Sequence, residues 1–251
     1  MESKRNKKQM KYTMGKASWC FITEDRVVKC YGLRNKKTVK PARGSIFDCW
    51  LRETTCLQRL KGHDHFPQLD DCEESDLSLS MSNCGESLFP AWKEHDLTQY
   101  IDQVHAIADT LEEAKVKYFY PGMDPAGKNK EHTKFPLSNF CVKDGVISLI
   151  DFEMAVPMDS RAEDRLSDRL SYLYGFYNPD NFRESLVLAL QKPVMSYESE
   201  LMAKLVDKDK FESVKHNNPR TQWASMELYT SPPDKVIKEW KNYKQRYQIN
   251  G

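Results

Sequence analysis

Asn139-Phe-Cys-Val-Lys-Asp-Gly-Val-Ile-Ser-Leu-Ile-Asp151-Phe-Glu-Met-Ala155 is the stretch on which the reading of this chain turns. Phe140 to Val142 and Val146 to Ile150 are short apolar runs, and the Asp144-Gly145 pair between them is a strong hairpin signal. A hairpin closed there brings Asn139, at its start, beside Asp151, just past its end. An amide oxygen and a carboxylate at one rim suit Mg2+, a hard cation that takes oxygen ligands and keeps waters and substrate phosphates.

Asp-Gly hairpins occur in every fold class, so the weight falls on what lies upstream. Ser45 to Leu60 is predicted as a helix, with Ser45 as N-cap, Asp48 three residues on and Gly62 just past the end. Ile46, Trp50, Leu57 and Leu60 share one helical face, and the position missing from that stripe is Glu53. A carboxylate on a buried face is costly unless it is paired. Before the helix, Trp19 to Ile22 and Arg26 to Tyr31 are strand-like, and Lys29 ends a Val-Val run. After it, Leu77 to Met81 alternates as a strand does. Asp96 is placed to cap an amphipathic helix with Leu97, Tyr100, Ile101, Val104, Ile107, Ala108 and Leu111 on one face.

Taken in order, these features resemble the protein-kinase-like superfamily, over roughly residues 12 to 177. The resemblance implies an α+β, bilobal fold. A basic tail (1–11) precedes a small β-rich N-lobe with one helix (12–88) and a larger, mainly helical C-lobe (89–251). It implies that Lys29 pairs with Glu53 and holds the phosphates of ATP, and that Asn139 and Asp151 bind Mg2+. Gly15 and Ser18 fall in the phosphate-covering loop, of whose three glycines only Gly15 is kept. Met81 and Asn83 fall at the hinge, where the adenine edge would be read.

The motifs depart from the family at two places. Five residues before Asn139, where the catalytic Asp belongs, stands Lys134. Asp124, after the apolar run Tyr118 to Tyr120, is the alternative base, with a polar, basic insert between it and Asn139 that brings Lys134 to the phosphates. The metal motif reads Asp151-Phe152-Glu153, which is similar to the D-F-E-Y-A signature of choline/ethanolamine kinases, with Glu153 adding charge beside Asp151. No A-P-E motif follows, and Arg161 to Tyr177 reads as helix, which leaves little room for a peptide-binding activation segment. The resemblance therefore implies ATP- and Mg2+-dependent phosphoryl transfer to a protein or small-molecule hydroxyl. A pseudokinase acting as a nucleotide-binding or scaffolding module, and a kinase-fold nucleotidyltransferase, stay open beside it.

Composition is compatible with all three. The chain has 251 residues, 38 Lys and Arg against 37 Asp and Glu, and a mean hydropathy of −0.72. A near-neutral total gives no global field for nucleic acid, and the Lys4-Arg5-Asn6-Lys7-Lys8 cluster is local. No apolar run reaches the ~18 residues of a membrane span. Seven cysteines without a C-x-x-C pair fit reduced thiols and a cytoplasmic setting. The histidines of His63-Asp64-His65 read as turn residues, and Phe182 to Val206 as one or two helices. Val236, Trp240, Tyr243 and Tyr247 recur at helical spacing, and their aromatic face is expected to dock on the second lobe.

Overall fold

In the computed structural model of the chain the described residues are 11–14, 17–33, 44–88, 96–120, 135–191 and 234–249. They form a mixed α+β structure. Strands β1 (Lys11–Met14), β2 (Trp19–Ile22) and β3 (Arg26–Cys30) form a meander, followed by helix α1 (Ile46–Arg59) and strands β4 (Leu69–Glu73) and β5 (Ser78–Ser82). These strands make one antiparallel sheet in the order β1-β2-β3-β5-β4. A second, three-stranded sheet joins β6 (Glu86–Ser87) to the hairpin β8 (Phe140–Lys143) and β9 (Val146–Leu149). Strands β7 (Val116–Lys117) and β10 (Val156–Pro157) pair separately. The remaining helices are α2 (Ile101–Glu113), α3 (Asp168–Gly175), α4 (Pro179–Gln191) and α5 (Asp234–Arg246).

The period of two along each strand divides the five-stranded sheet into unlike faces. Register pairs Cys20 with Lys29 and Lys29 with Leu79, so these share the inner face; Phe21, Val28 and Ser80 share the outer one. Helix α1 starts where its sequence says it should. The Ser45 hydroxyl accepts from the Asp48 N–H at 3.1 Å, and the Asp48 carboxylate accepts from the Ser45 N–H at 2.8 Å, a reciprocal capping box. Burial goes well beyond the expected stripe, taking in Cys49, Arg52, Glu53 and Cys56 besides Ile46, Trp50 and Leu57. The helix is covered on two sides, against β4 and against β10.

The hairpin forms as the Asp-Gly pair dictates. Asp144 (φ 52) and Gly145 (φ 80) both take positive φ, the requirement of a two-residue turn that matches strand twist. Helix α2 buries Val104, Ile107, Ala108 and Leu111 as expected. Its first turn, Leu97–Tyr100, is a tighter 3-10 turn capped by Asp96, which accepts from the Thr98 N–H at 3.0 Å.

Four expectations need correction. The apolar run Tyr118 to Tyr120, which suggests a strand leading to Asp124, is not one: the ladder stops at Lys117, and the three buried side chains lie beyond it. Arg161 to Tyr177 is not one helix, because Leu166 is extended (ψ 136) and Ser167 caps a new helix through the Leu170 N–H. The Phe182 helix opens earlier, at Pro179, and its continuation from Lys192 to Val206 lies outside the described residues. Finally, α5 docks on the five-stranded sheet and not on the helical part. Trp240 stacks on Phe21 at 4.6 Å, and the Tyr247 hydroxyl lies 2.6 Å from that of Ser78. With Tyr243 and Ile249 these aromatics bury Trp19, Phe21, Val28 and Cys30. The meander leaves that apolar outer face bare, and α1 sits on the other side, so α5 supplies the missing layer.

Candidate functional site

The inner face of β3 carries Lys29 against α1 and against the residue that follows the hairpin. Its ammonium donates to both Glu53 oxygens, at 2.9 and 2.8 Å, and to Asp151 Oδ1 at 3.2 Å. The partner expected for Glu53 is thus the one it has. Tyr31, the residue just past the end of β3, donates its hydroxyl to Glu53 as well. Lys29 and Glu53 are buried, whereas the Asp151 side chain is 35% exposed; the cluster opens to solvent at Asp151. Burial alone would push the Lys29 ammonium down. The charges of Glu53, Tyr31 and Asp151 outweigh it and hold the group above its ordinary value. Burial, and after it Glu53, pushes the Tyr31 phenol up, so Tyr31 stays a donor.

Asp151 takes a left-handed backbone, φ 68, a region that Asp tolerates better than most residues but at some cost. The bend is braced from below by Tyr118. Asn139 Nδ2 donates to the Tyr118 hydroxyl at 2.9 Å, and that hydroxyl donates to the Ile150 carbonyl at 2.6 Å, with the Asp151 carbonyl at 3.1 Å. The Ile150 N–H returns to the Asn139 carbonyl at 2.9 Å, so the hairpin does set the ends of its two strands together. Tyr118 is fully buried; burial first, and the Asp151 charge second, push its phenol up. With its amide nitrogen committed to Tyr118, Asn139 keeps Oδ1 as its acceptor end.

Several contacts fix α1, and with it Glu53. Arg52 Nε donates to the Glu153 carbonyl at 2.8 Å, and Arg165 pairs with Asp48 at 2.7 Å. The guanidinium groups of Arg161 and Arg165 lie 5.4 and 5.2 Å from the Phe47 ring centre. Asp48 is partly buried, which alone would raise its carboxyl, but hydrogen bonds from Ser45 and the Arg165 charge hold it below its ordinary value. On the far side of α1, His65 Nδ1 lies 2.8 Å from the Ile147 carbonyl, and the Leu149 N–H donates to the His65 carbonyl at 3.0 Å. His65 therefore joins α1 to the hairpin as a turn residue. Glu153 was expected to add charge beside Asp151; it is buried, and its carbonyl accepts from Arg52.

The remaining expected residues divide. Ser18 is buried, its hydroxyl 3.8 Å from Cys20 Sγ. Met81 lies on the inner face of β5, in register with Val27. Asn83 braces the β2–β3 turn: its N–H donates to Asp25 O at 2.9 Å and its Nδ2 to Thr23 O at 2.7 Å. Its own N–H is thus taken within the chain, contrary to a role in reading an adenine edge with that group. Gly85 (φ +91) follows so close to the hairpin that a Cβ there would lie 2.2 Å from the Val142 carbonyl oxygen. Gly15, Asp124 and Lys134 lie outside the described residues.

Sequence reasoning passed over Tyr31, Tyr118 and Arg52. Tyr31 had a signal, its i+2 spacing from Lys29 in the strand-like run Arg26 to Tyr31. Tyr118 had none, since it reaches Asn139 and Asp151 only through the fold. Among the described residues no group of three or more His, Cys, Asp or Glu is arranged to hold a metal. No helix among them is long and apolar enough to cross a membrane. No protein-family model matches the chain, and a search of curated proteins finds no significant match.

Proposed function

We propose that the chain has a protein-kinase-like bilobal fold and is an ATP- and Mg2+-dependent phosphotransferase acting on a protein or small-molecule hydroxyl. The observation that carries this reading is the buried Lys29–Glu53 pair whose lysine also reaches Asp151. A fully neutralised lysine at a buried site is costly to assemble, and its one open side faces a carboxylate at the end of a hairpin that also presents an amide. Such a set fits the triphosphate of a nucleotide with its cation. The donor chemistry fits Mg2+: two hard oxygen ligands, with room for water and phosphate.

In this reading Lys29 turns its ammonium from Asp151 to phosphate oxygens while Glu53 and Tyr31 hold the stem in place. Asn139 and Asp151 hold the metal, which supplies charge neutralisation for the transferred phosphoryl group. Tyr118 keeps the two ligands in fixed relation. Asp124 orients the acceptor hydroxyl, and Gly15, Ser18 and Lys134 line the phosphates. Transfer of this kind depends mainly on positioning and charge, which suits a site built from braced side chains.

A second reading, a nucleotide-binding module without transfer, is favoured by one observation, the lysine at position 134 where the family has its base. Thermal-shift titration of the full chain with ATP, with and without Mg2+, tests the common part. A Mg2+-dependent rise in melting temperature that Lys29→Met abolishes is expected. No shift under either condition refutes nucleotide binding. ATP labelled in turn at the γ and α phosphates then separates phosphoryl transfer, nucleotidyl transfer and binding alone.

A further inference from the structure

An ammonium has three N–H donors, and those of Lys29 are all engaged within the protein. Two go to Glu53 Oε1 and Oε2, at 2.9 and 2.8 Å, and one goes to Asp151 Oδ1 at 3.2 Å. The longest of the three falls on the partly exposed member of the cluster. That member is also the carboxylate which the phosphotransferase reading assigns to the metal, so a lysine already stands on one of its oxygens.

Both sides of this contact are held. Glu53, itself buried, fixes the lysine end. On the other side the Tyr118 hydroxyl lies against the carbonyls of Ile150 and Asp151. Phe152, next in the chain, is buried edge-on against Tyr118 and Phe66, with ring centres 5.1 and 6.0 Å apart. The carboxylate therefore stays beside the lysine until another anion draws the ammonium off. Charge decides which ligand can do so. One ammonium faces two carboxylates, so Lys29, Glu53 and Asp151 together carry −1. A divalent cation arriving alone would turn that excess into +1, and on Asp151 it would sit about 5 Å from the ammonium. The phosphates of a nucleotide reverse both effects: they offer Lys29 oxygens in exchange for Asp151, and they cancel the added charge.

We propose that Lys29 is the built-in counter-ion of the metal site and excludes a divalent cation until a polyphosphate arrives with it. The proposal rests on the phosphotransferase reading for the assignment of Asp151 to the metal, and adds the order of loading. Metal and nucleotide enter together, and each raises the affinity for the other by the same factor.

The test titrates the full-length protein with Mn2+ alone, a hard cation suited to the same oxygen ligands, and reads the unbound ion by electron paramagnetic resonance. Wild-type protein should bind weakly. Lys29→Met should bind about tenfold more tightly, which is what repulsion between a single and a double charge about 5 Å apart amounts to even in a water-like dielectric. Lys29→Met/Glu53→Gln leaves no unpaired charge in the buried pair and so guards against a single variant that fails to fold. Its gain should be smaller, about threefold, because the Glu53 charge is lost as well. Adding Asp151→Asn should erase either gain. ATP affinity should move the opposite way and fall in both Lys29 variants, whereas a merely structural lesion would weaken both ligands. The melting-temperature rise that Lys29→Met abolishes is the part that ATP adds over Mg2+ alone. The proposal is overturned by wild-type protein that binds Mn2+ as tightly as the variants, by a gain that survives Asp151→Asn, or by no Mn2+ binding to any of the proteins. The expected Mn2+ order without any ATP binding by wild-type protein would support the exclusion and refute the phosphotransferase reading alone.

Discussion

Removing one member of the Lys29–Glu53 pair should cost far more than removing both. In Lys29→Met the Glu53 carboxylate keeps the Tyr31 hydroxyl and a weak contact with the Phe152 N–H at 3.4 Å, but no cation. It can escape by taking up a proton, which at pH 7 costs about 3.7 kcal/mol for a carboxyl with the ordinary value of about 4.3. In Glu53→Gln the buried Lys29 ammonium keeps only the partly exposed Asp151. Its escape by losing a proton costs about 4.6 kcal/mol from an ordinary value of about 10.4. These ceilings agree with the ~3–5 kcal/mol typical of a broken buried pair. The double variant leaves a thioether beside a neutral amide that Tyr31 can still donate to, so its loss should be about 1–2 kcal/mol. Urea denaturation followed by circular dichroism reads all four proteins, provided the slopes agree. A further check is pH: Lys29→Met should regain stability as pH falls from 7 towards 5, because the native state then holds a proton that the unfolded chain lacks. Single losses that add to within about 0.5 kcal/mol would refute the coupling and leave the pair without energetic meaning.

Tyr118→Phe removes the hydroxyl shared by Asn139 and the carbonyls of Ile150 and Asp151; a stability loss of about 1–3 kcal/mol and a higher Mg2+ requirement for ATP binding are expected, and an unchanged Mg2+ titration would refute the bracing role. Trp240→Ala uncovers Phe21 and should cost about 3–5 kcal/mol, read by urea denaturation; a loss below about 1 kcal/mol would mean that α5 does not seal the sheet. At alkaline pH the fold should weaken steadily. Burial pushes Cys20 up to about 11 and Cys141 up to about 12, and the phenols of Tyr31 and Tyr118 up as well. The unfolded chain then releases these protons first, from about pH 8.5 for thiols and about 10 for phenols, so stability falls as pH rises. A melting temperature that holds constant from pH 8 to 11 would contradict that.

Local chemistry made much of this molecule legible before folding. Ser45 and Asp48 carry the helix start in their own side chains, and Asp144-Gly145 carries the turn in its backbone preferences; neither needs a distant partner. Glu53 was informative for a different reason: a charge in an apolar stripe has to be answered, and a lysine on a nearby strand is the least costly answer. What the chain could not disclose locally is anything set by elements far apart in sequence. Ser167 interrupts the run from Arg161 because its hydroxyl caps the helix that follows, a competition that periodicity does not register. Tyr118 gained its role only when the fold carried its hydroxyl to Asn139 and to the Ile150 carbonyl. The aromatic face of α5 was plain in the sequence, but its destination was not. An amphipathic helix states that it must be covered, and only the packed fold, with the outer face of the sheet left bare, decides by what.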